Sequence, residues 1–335
     1  MPVVSRYIRP AEPSAGLLLQ SRDLDILRSV YQHRFVRSDH LHRLLFAGVS
    51  LRALQVRLRK LWEHHYLDRY FQPFVLGEGH HSPTRATQPI YTLGRRGAEE
   101  VAELLGVARD EIPHGFRHNG LGLPALHHHL VVTDFLVAVV VSARGCTDIT
   151  LHEIKSGFTL ARTASLWKRR TQAPHQYVIP DGAVTLSIGG QRMTYYLEVV
   201  RAGVSGGNKR LIEKLRRYVS LNRLGFFKQA FGHERLRAVI FATTSDDRSD
   251  RLRAVARPLV HGRHLFWFGS YEAKQRDGNR QSTLAPESIF SPRWRTVDGV
   301  LRSLLPPGVP RGEPAVTSST SICLRSPQKE TPPAS

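Results

Sequence analysis

Between residues 22 and 64 the apolar side chains recur at the spacing of three short amphipathic helices, and the third carries a basic outer face. This pattern restricts the fold more than any other feature of the chain. Leu24, Leu27, Val30 and Tyr31 line a first helix over about 22–33, with Ser21 as its N-cap and Asp23 and Asp25 in its first turn. Carboxylates there suit the helix dipole. Ser38 caps a second helix with Asp39 in its first turn, and Leu41, Leu44 and Leu45 form its apolar face until Gly48 breaks it. Ser50 caps a third helix that runs to about His64.

In that third helix Leu51, Leu54, Leu58, Leu61 and Trp62 fall on one side at 100° per residue. Arg52, Arg59 and Lys60 fall on the other, with Val56 between them, and Arg57 flanks the apolar stripe. Three short helices with a tight turn at Ala47–Val49 follow the order of a helix-turn-helix, whose last helix enters the major groove of DNA. Two expected strands come next, Tyr66–Phe71 and Ile90–Leu93, joined by a polar Gly- and Pro-bearing loop from Gly77 to Pro89 that contains Arg85. Strand, basic loop and strand make a wing. A helix from Arg95 to Leu105 then completes the expected domain.

Charge agrees with this. Lys and Arg number 48 against 28 Asp and Glu, a formal net charge of +20, and the pI is near 10.7. A pI above about 9 is the electrostatic footprint of nucleic-acid binding. The DNA-contact set read from the sequence is Arg52, Arg57, Arg59, Lys60 and Arg85. The two cysteines, Cys146 and Cys323, form no disulfide framework or Cys-based zinc site. The first residues lack a signal-peptide core, and the apolar run Leu130–Val141, interrupted by Asp134, is too short to span a membrane and reads as a buried helix. A cytoplasmic protein with no membrane partner is expected. The His127-His128-His129 run cannot hold one metal, because adjacent helical residues point to different faces.

The expected fold class is therefore α+β. A loose arm (1–16) precedes a winged helix-turn-helix domain (17–106), a Gly-rich linker (107–124), an α/β domain with a mixed sheet (125–305) and a tail rich in Pro, Ser and Thr (306–335). In the second domain a helix is expected over about Leu126–Ala143, with strands over Ile149–Ile154, Gly157–Leu160, Gln176–Leu186 and Thr194–Val200. Gly189-Gly190 turns the last two into a hairpin. A basic helix (about Asn208–Leu221), a strand (Arg237–Ala242), a helix (Ser249–Leu259) and a final strand (His264–Phe268) follow.

Two carboxylates sit at the hairpin: Asp181 after Pro180, and Glu198 in the second strand. This spacing resembles the PD-(D/E)xK nuclease superfamily, in which an Asp and a Glu on adjacent strands bind Mg²⁺ and a Lys two residues on assists the attacking water. Two oxygen ligands leave room on the ion for waters and a scissile phosphate. The Lys position here is Val200, and the adjacent Arg201 would point to the other face of a strand. Lys209 or Lys214 on the next helix could substitute, and Lys214 with Tyr218 resembles the Gln-x-x-x-Tyr of some members. Glu153 could supply a third carboxylate. The alternatives are a Mg²⁺-dependent endonuclease using Asp181, Glu198 and Lys214, or a nuclease-like fold kept for contacts with DNA or protein.

The chain also resembles the replication-relaxation family of bacterial plasmids and mobile elements over about 20–220. The resemblance rests on Ser21-Arg22-Asp23-Leu24-Asp25-Ile26-Leu27, on His33-Arg34-Phe35-Val36 leading to Leu41-His42-Arg43-Leu44-Leu45-Phe46, and on Tyr91-Thr92-Leu93-Gly94-Arg95-Arg96-Gly97. It extends through His128-His129-Leu130, Pro180-Asp181-Gly182 and Tyr196-Leu197-Glu198-Val199. Many members follow this Glu with Val-Asp-Arg-Gly, where this chain has Val199-Val200-Arg201-Ala202. The resemblance implies an accessory factor of replication, relaxation or mobilisation, or a repressor. Its partners would be duplex DNA and a relaxase or replication initiator.

Overall fold

The computed structural model describes residues 9–10, 16–71, 89–115, 123–171, 177–200, 207–233, 235–260, 264–274, 280–282 and 284–305. Two compact units emerge from these residues. One holds the described residues up to Tyr31 and from Arg37 to 115. The other holds Gln32–Val36 and the described residues from 123 onward.

Up to residue 115 the elements are α1 (Ser21–His33), β1 (Val36–Arg37), α2 (Ser38–Leu45), α3 (Leu51–Glu63), β2 (Leu67–Phe71), β3 (Pro89–Leu93) and α4 (Arg95–Leu105), all in the first unit except Gln32–Val36. Ser50 caps α3 as expected, accepting a hydrogen bond from Ala53 N at 3.2 Å. The caps of α1 and α2 differ from expectation: in α2 Arg37 is the N-cap and Ser38 the first helical residue. Gln20 precedes α1, and its N–H is bound by the Asp23 carboxylate at 2.7 Å, so Ser21 lies inside. Ile26, Leu27, Leu41, Leu44, Leu54, Leu58, Leu61 and Trp62 are buried and join the three helices. The strands form one sheet in the order β1-β3-β2, with β2 and β3 antiparallel from Leu67↔Leu93 to Phe71↔Pro89.

The start of α4 shows why Gly94 and Gly97 stand where they do. A Cβ on Gly97 would lie 2.0 Å from Tyr66 O, and one on Gly94 would lie 2.3 Å from His65 O. The backbone leaving α3 crosses directly over the first turn of α4, and His65 takes a left-handed φ of 64° to make the corner. Beyond α4, Ile112 is buried and Gly115 N donates to Leu93 O at 2.8 Å.

The second unit opens with α5 (Leu123–Arg144), then β4 (Ile149–Ser156), α6 (Gly157–Thr171), β5 (Gly182–Ile188), β6 (Gln191–Val200), α7 (Gly207–Arg223), α8 (Phe226–Phe231), β7 (Leu236–Thr243), α9 (Asp246–Val260) and β8 (Phe266–Ser270). A ribbon of β9 (Glu272–Lys274) and β10 (Arg280–Ser282) precedes β11 (Trp294–Thr296) and β12 (Leu301–Arg302). The main sheet has the order β12-β11-β8-β7-β6-β5-β4. It is mixed: β4, β5 and β6 are antiparallel, while β6, β7 and β8 run parallel. Tyr196, Val239, Phe241, Phe266 and Phe268 on one face pack with Leu160, Leu215, Tyr218 and Phe227 from the helices.

Four sequence expectations are corrected here. The segment Gly157–Leu160 is not a strand but the first turn of α6. Leu160 and Ala164, one helical turn apart, are both fully buried, and the Thr163 hydroxyl donates back one turn to Thr159 O at 3.0 Å. Residues 177–181 lie outside β5, which begins at Gly182, because Pro180 has no N–H to give a ladder. β8 is followed by further strands rather than ending the sheet. Finally, α5 runs further than the expected Leu126–Ala143, from Leu123 to Arg144; it has the length and composition of a membrane span, but 67% of its most apolar stretch is buried in the fold, as expected of a core helix.

Candidate functional site

The hairpin places the two carboxylates. Gly189 (φ 55°) and Gly190 (φ 76°) make the two-residue turn, both in the left-handed region that such turns require. The register sets Gly182 opposite Leu197, so Asp181 meets β6 beside Glu198. Asp181 N donates to Leu197 O at 2.9 Å, and Val199 N donates to Asp181 Oδ2 at 2.8 Å. The other Asp181 oxygen lies 3.2 Å from His128 Nε2 on α5.

Glu198 is 1% exposed, and α7 supplies its partners. Leu211, Leu215 and Tyr218 set one face of α7 into the core. Lys214 and Tyr218, one turn apart, both reach Glu198: the ammonium binds Oε2 and the phenol O–H donates to Oε1. Of Lys209 and Lys214, Lys214 is the one that reaches Glu198. Lys209 is exposed elsewhere on α7. Glu153 makes a separate cluster, 2.8 Å from Lys155 Nζ and 3.1 Å from His233 Nε2, while His233 Nδ1 lies 2.7 Å from the Tyr196 hydroxyl.

Burial pushes the Glu198 carboxyl up to about 8, against the pull of the Lys214 charge, and the Asp181 charge adds to the rise. Lys214 is disfavoured by burial, but Glu198 and Asp181 hold its pKa above the usual range. For Asp181, burial is outweighed by the His128 contact, the Lys214 charge and the Val199 N–H, so its pKa lies below the usual carboxylate range. The result is two carboxylates of unlike proton affinity and one cation between strand and helix. Asp181 and Glu198 are oxygen donors of the kind Mg²⁺ takes. Among the described residues no group of three or more His, Cys, Asp or Glu gathers around one point, so no third side chain of that kind joins this pair.

On α3 the outward stripe is Arg52, Gln55, Val56, Arg59 and Lys60, all exposed, at i, i+3, i+4, i+7 and i+8. Val56 is 52% exposed, high for a branched apolar residue. Arg59 Nε binds Glu63 at 2.7 Å. Arg57 departs from the expected contact set: its guanidinium grips both oxygens of the fully buried Asp23 and donates to Leu18 O at 3.0 Å. Arg85 and the loop around it lie outside the described residues. Gln55 is absent from the expected set, although its place in the stripe is visible from spacing alone. The His128 contact with Asp181 is likewise unforeseen, and nothing local in the sequence signals it.

A family model described as Replication-relaxation matches residues 27–234. This span takes in α3, Asp181, Glu198 and Lys214. No curated protein and no solved structure matches the chain.

Proposed function

Since the chain belongs to the replication-relaxation family, with a role in plasmid or mobile-element replication or relaxation, we propose that it serves there as an accessory protein that grips duplex DNA through a winged helix-turn-helix formed by its first unit. The observation that carries this reading is the α3 stripe. From the N-terminus of a recognition helix, Arg52, Gln55 and Val56 suit base edges: Arg pairs with guanine, Gln with adenine, and an aliphatic side chain meets the thymine methyl. Lys60, further along, suits phosphate. Arg57 is left out because Asp23 holds it. Recruitment of a relaxase or replication initiator belongs to the same role.

The test is affinity for a duplex site selected from random sequence, for wild type beside Arg52→Ala/Gln55→Ala. A weakening of about 1–3 kcal/mol per bidentate base pairing is expected, with discrimination relaxed at those positions. Equal affinity and preference in the double variant would refute the assignment of α3.

A second reading is a Mg²⁺-dependent endonuclease of PD-(D/E)xK type. It is favoured by one observation: Lys214 supplies from α7 the cation that Val200 does not. In that reading Asp181 and Glu198 hold the ion, which supplies Lewis-acid chemistry at phosphate, and Lys214 holds charge beside the attacking water. Against it, both Glu198 oxygens already accept hydrogen bonds, and burial raises the affinity of Glu198 for a proton, which competes with a cation. Little or no cleavage is therefore expected. Nicking of supercoiled plasmid with Mg²⁺ or Mn²⁺, abolished by Asp181→Ala and by Lys214→Met, would make the chain a nuclease.

A further inference from the structure

We propose that the outward face of α7 is a second DNA surface, one that holds the phosphate backbone of a duplex without reading its sequence. It is independent of the α3 assignment. Opposite the buried Leu211, Leu215 and Tyr218, α7 presents Lys209, Arg210, Arg216, Arg217 and Arg223, all exposed, with Glu213 the acid among them. None of the five cations makes an ion pair or side-chain hydrogen bond with the described residues. By contrast Arg28, Arg59 and Arg253 each have a carboxylate. Crowding like charge on one helix face is unfavourable in the free protein, and a polyanion laid along it relieves that repulsion.

The dimensions suit a duplex. From Lys209 to Arg223 the helix rises ~21 Å. Over that length duplex DNA carries on the order of a dozen phosphate charges, one per ~1.7 Å of axis. Arginine contacts to phosphate hold and orient a duplex but carry no sequence information. Other anionic partners fit less well. Leu211, Leu215 and Tyr218 are buried, and Val219 and Leu221 pack partly against the same core, which leaves no broad apolar face to enter a bilayer. At one end Arg216 and Arg223 border a small pocket with the exposed Leu224; the rest of the face lacks the aromatic or apolar centre typical of a protein interface.

The experiment uses the full chain and a duplex of randomised sequence, with affinity measured by fluorescence anisotropy across a salt series. One variant carries Arg210→Gln, Arg216→Gln, Arg217→Gln and Arg223→Gln; a companion carries Lys at the same four positions. The Gln variant should show a plot of log affinity against log salt that is flatter by roughly 3–4, about 0.9 for each phosphate no longer neutralised. The Lys companion should restore the slope, which separates the removal of charge from misfolding. The same flattening is expected in an Arg52→Ala/Lys60→Ala background. A Gln variant with the wild-type slope would overturn the proposal. So would an effect confined to polyglutamate or to anionic lipid vesicles, with the duplex slope unchanged.

Discussion

Arg57 and Lys60 lie within one turn of α3 and have unlike fates. Lys60 is exposed, whereas Arg57 turns inward to a carboxylate that water does not reach. Removing one partner of such a pair strands the other charge and costs about 3–5 kcal/mol, while removing both costs far less. Arg57→Ala should thus lower stability by that order in urea denaturation, and Asp23→Asn/Arg57→Gln should recover part of it. Unchanged stability in Arg57→Ala would return this arginine to the DNA-contact set. Glu198 yields a pH prediction. Its folded pKa, about 8, lies above the 4.5 of an ordinary glutamate, so the folded state binds the extra proton. Its contribution to stability is therefore full below about pH 4.5 and is lost as pH rises toward 8 and beyond, by up to a few kcal/mol. Melting curves of wild type and Glu198→Gln should diverge across that window, with the variant gaining relative to wild type at the alkaline end. Parallel curves would show that Glu198 titrates normally.

Among the elements, α4 shows how a sequence signature acquires a physical cause. The Gly94-Arg95-Arg96-Gly97 run is needed because backbone, not side chain, lies against the two glycines. A carbonyl oxygen cannot rotate away as a side chain could, so a methyl at Gly97 must displace either α4 or the Tyr66 strand entry. Gly97→Ala should destabilise by roughly 1–3 kcal/mol, the usual cost of overpacking, as read from the denaturation midpoint. A midpoint equal to that of wild type would mean that the corner yields freely. The helix α6 teaches the reverse lesson. Its start, Gly157-Phe158-Thr159-Leu160, has β-favouring composition. The burial of Leu160 and Ala164 on one face overrides that local preference.

For the whole molecule the main quantity is its charge of +20. If α3 and α7 both meet phosphate, binding to any duplex should be steeply salt-dependent. About 6–10 phosphate contacts lower affinity by about 10³–10⁵ between 50 and 200 mM salt. A titration over that range that changes affinity by less than tenfold would show that the charge serves another purpose. The second unit brings its own polar centre into the same charge balance. Lys214 faces inward to Glu198, while its neighbours on α7 face water.

Helix spacing, caps and the Gly-Gly turn are local properties, written in adjacent side chains. They suffice to locate α1 to α4, the β5–β6 hairpin and the carboxylate pair to within a few residues. The exposed stripe on α3 also follows from periodicity, although Gln55 is easily overlooked beside its charged neighbours. What periodicity cannot carry is the choice of partner between distant segments. That Arg57 belongs to Asp23, that His128 reaches Asp181 and that Lys214 rather than Lys209 meets Glu198 depend on how helices settle against a sheet or against one another. Only packing brings those charges within hydrogen-bond distance, and only burial makes their pairing obligatory, because a charge removed from water must find its counter-charge in the fold.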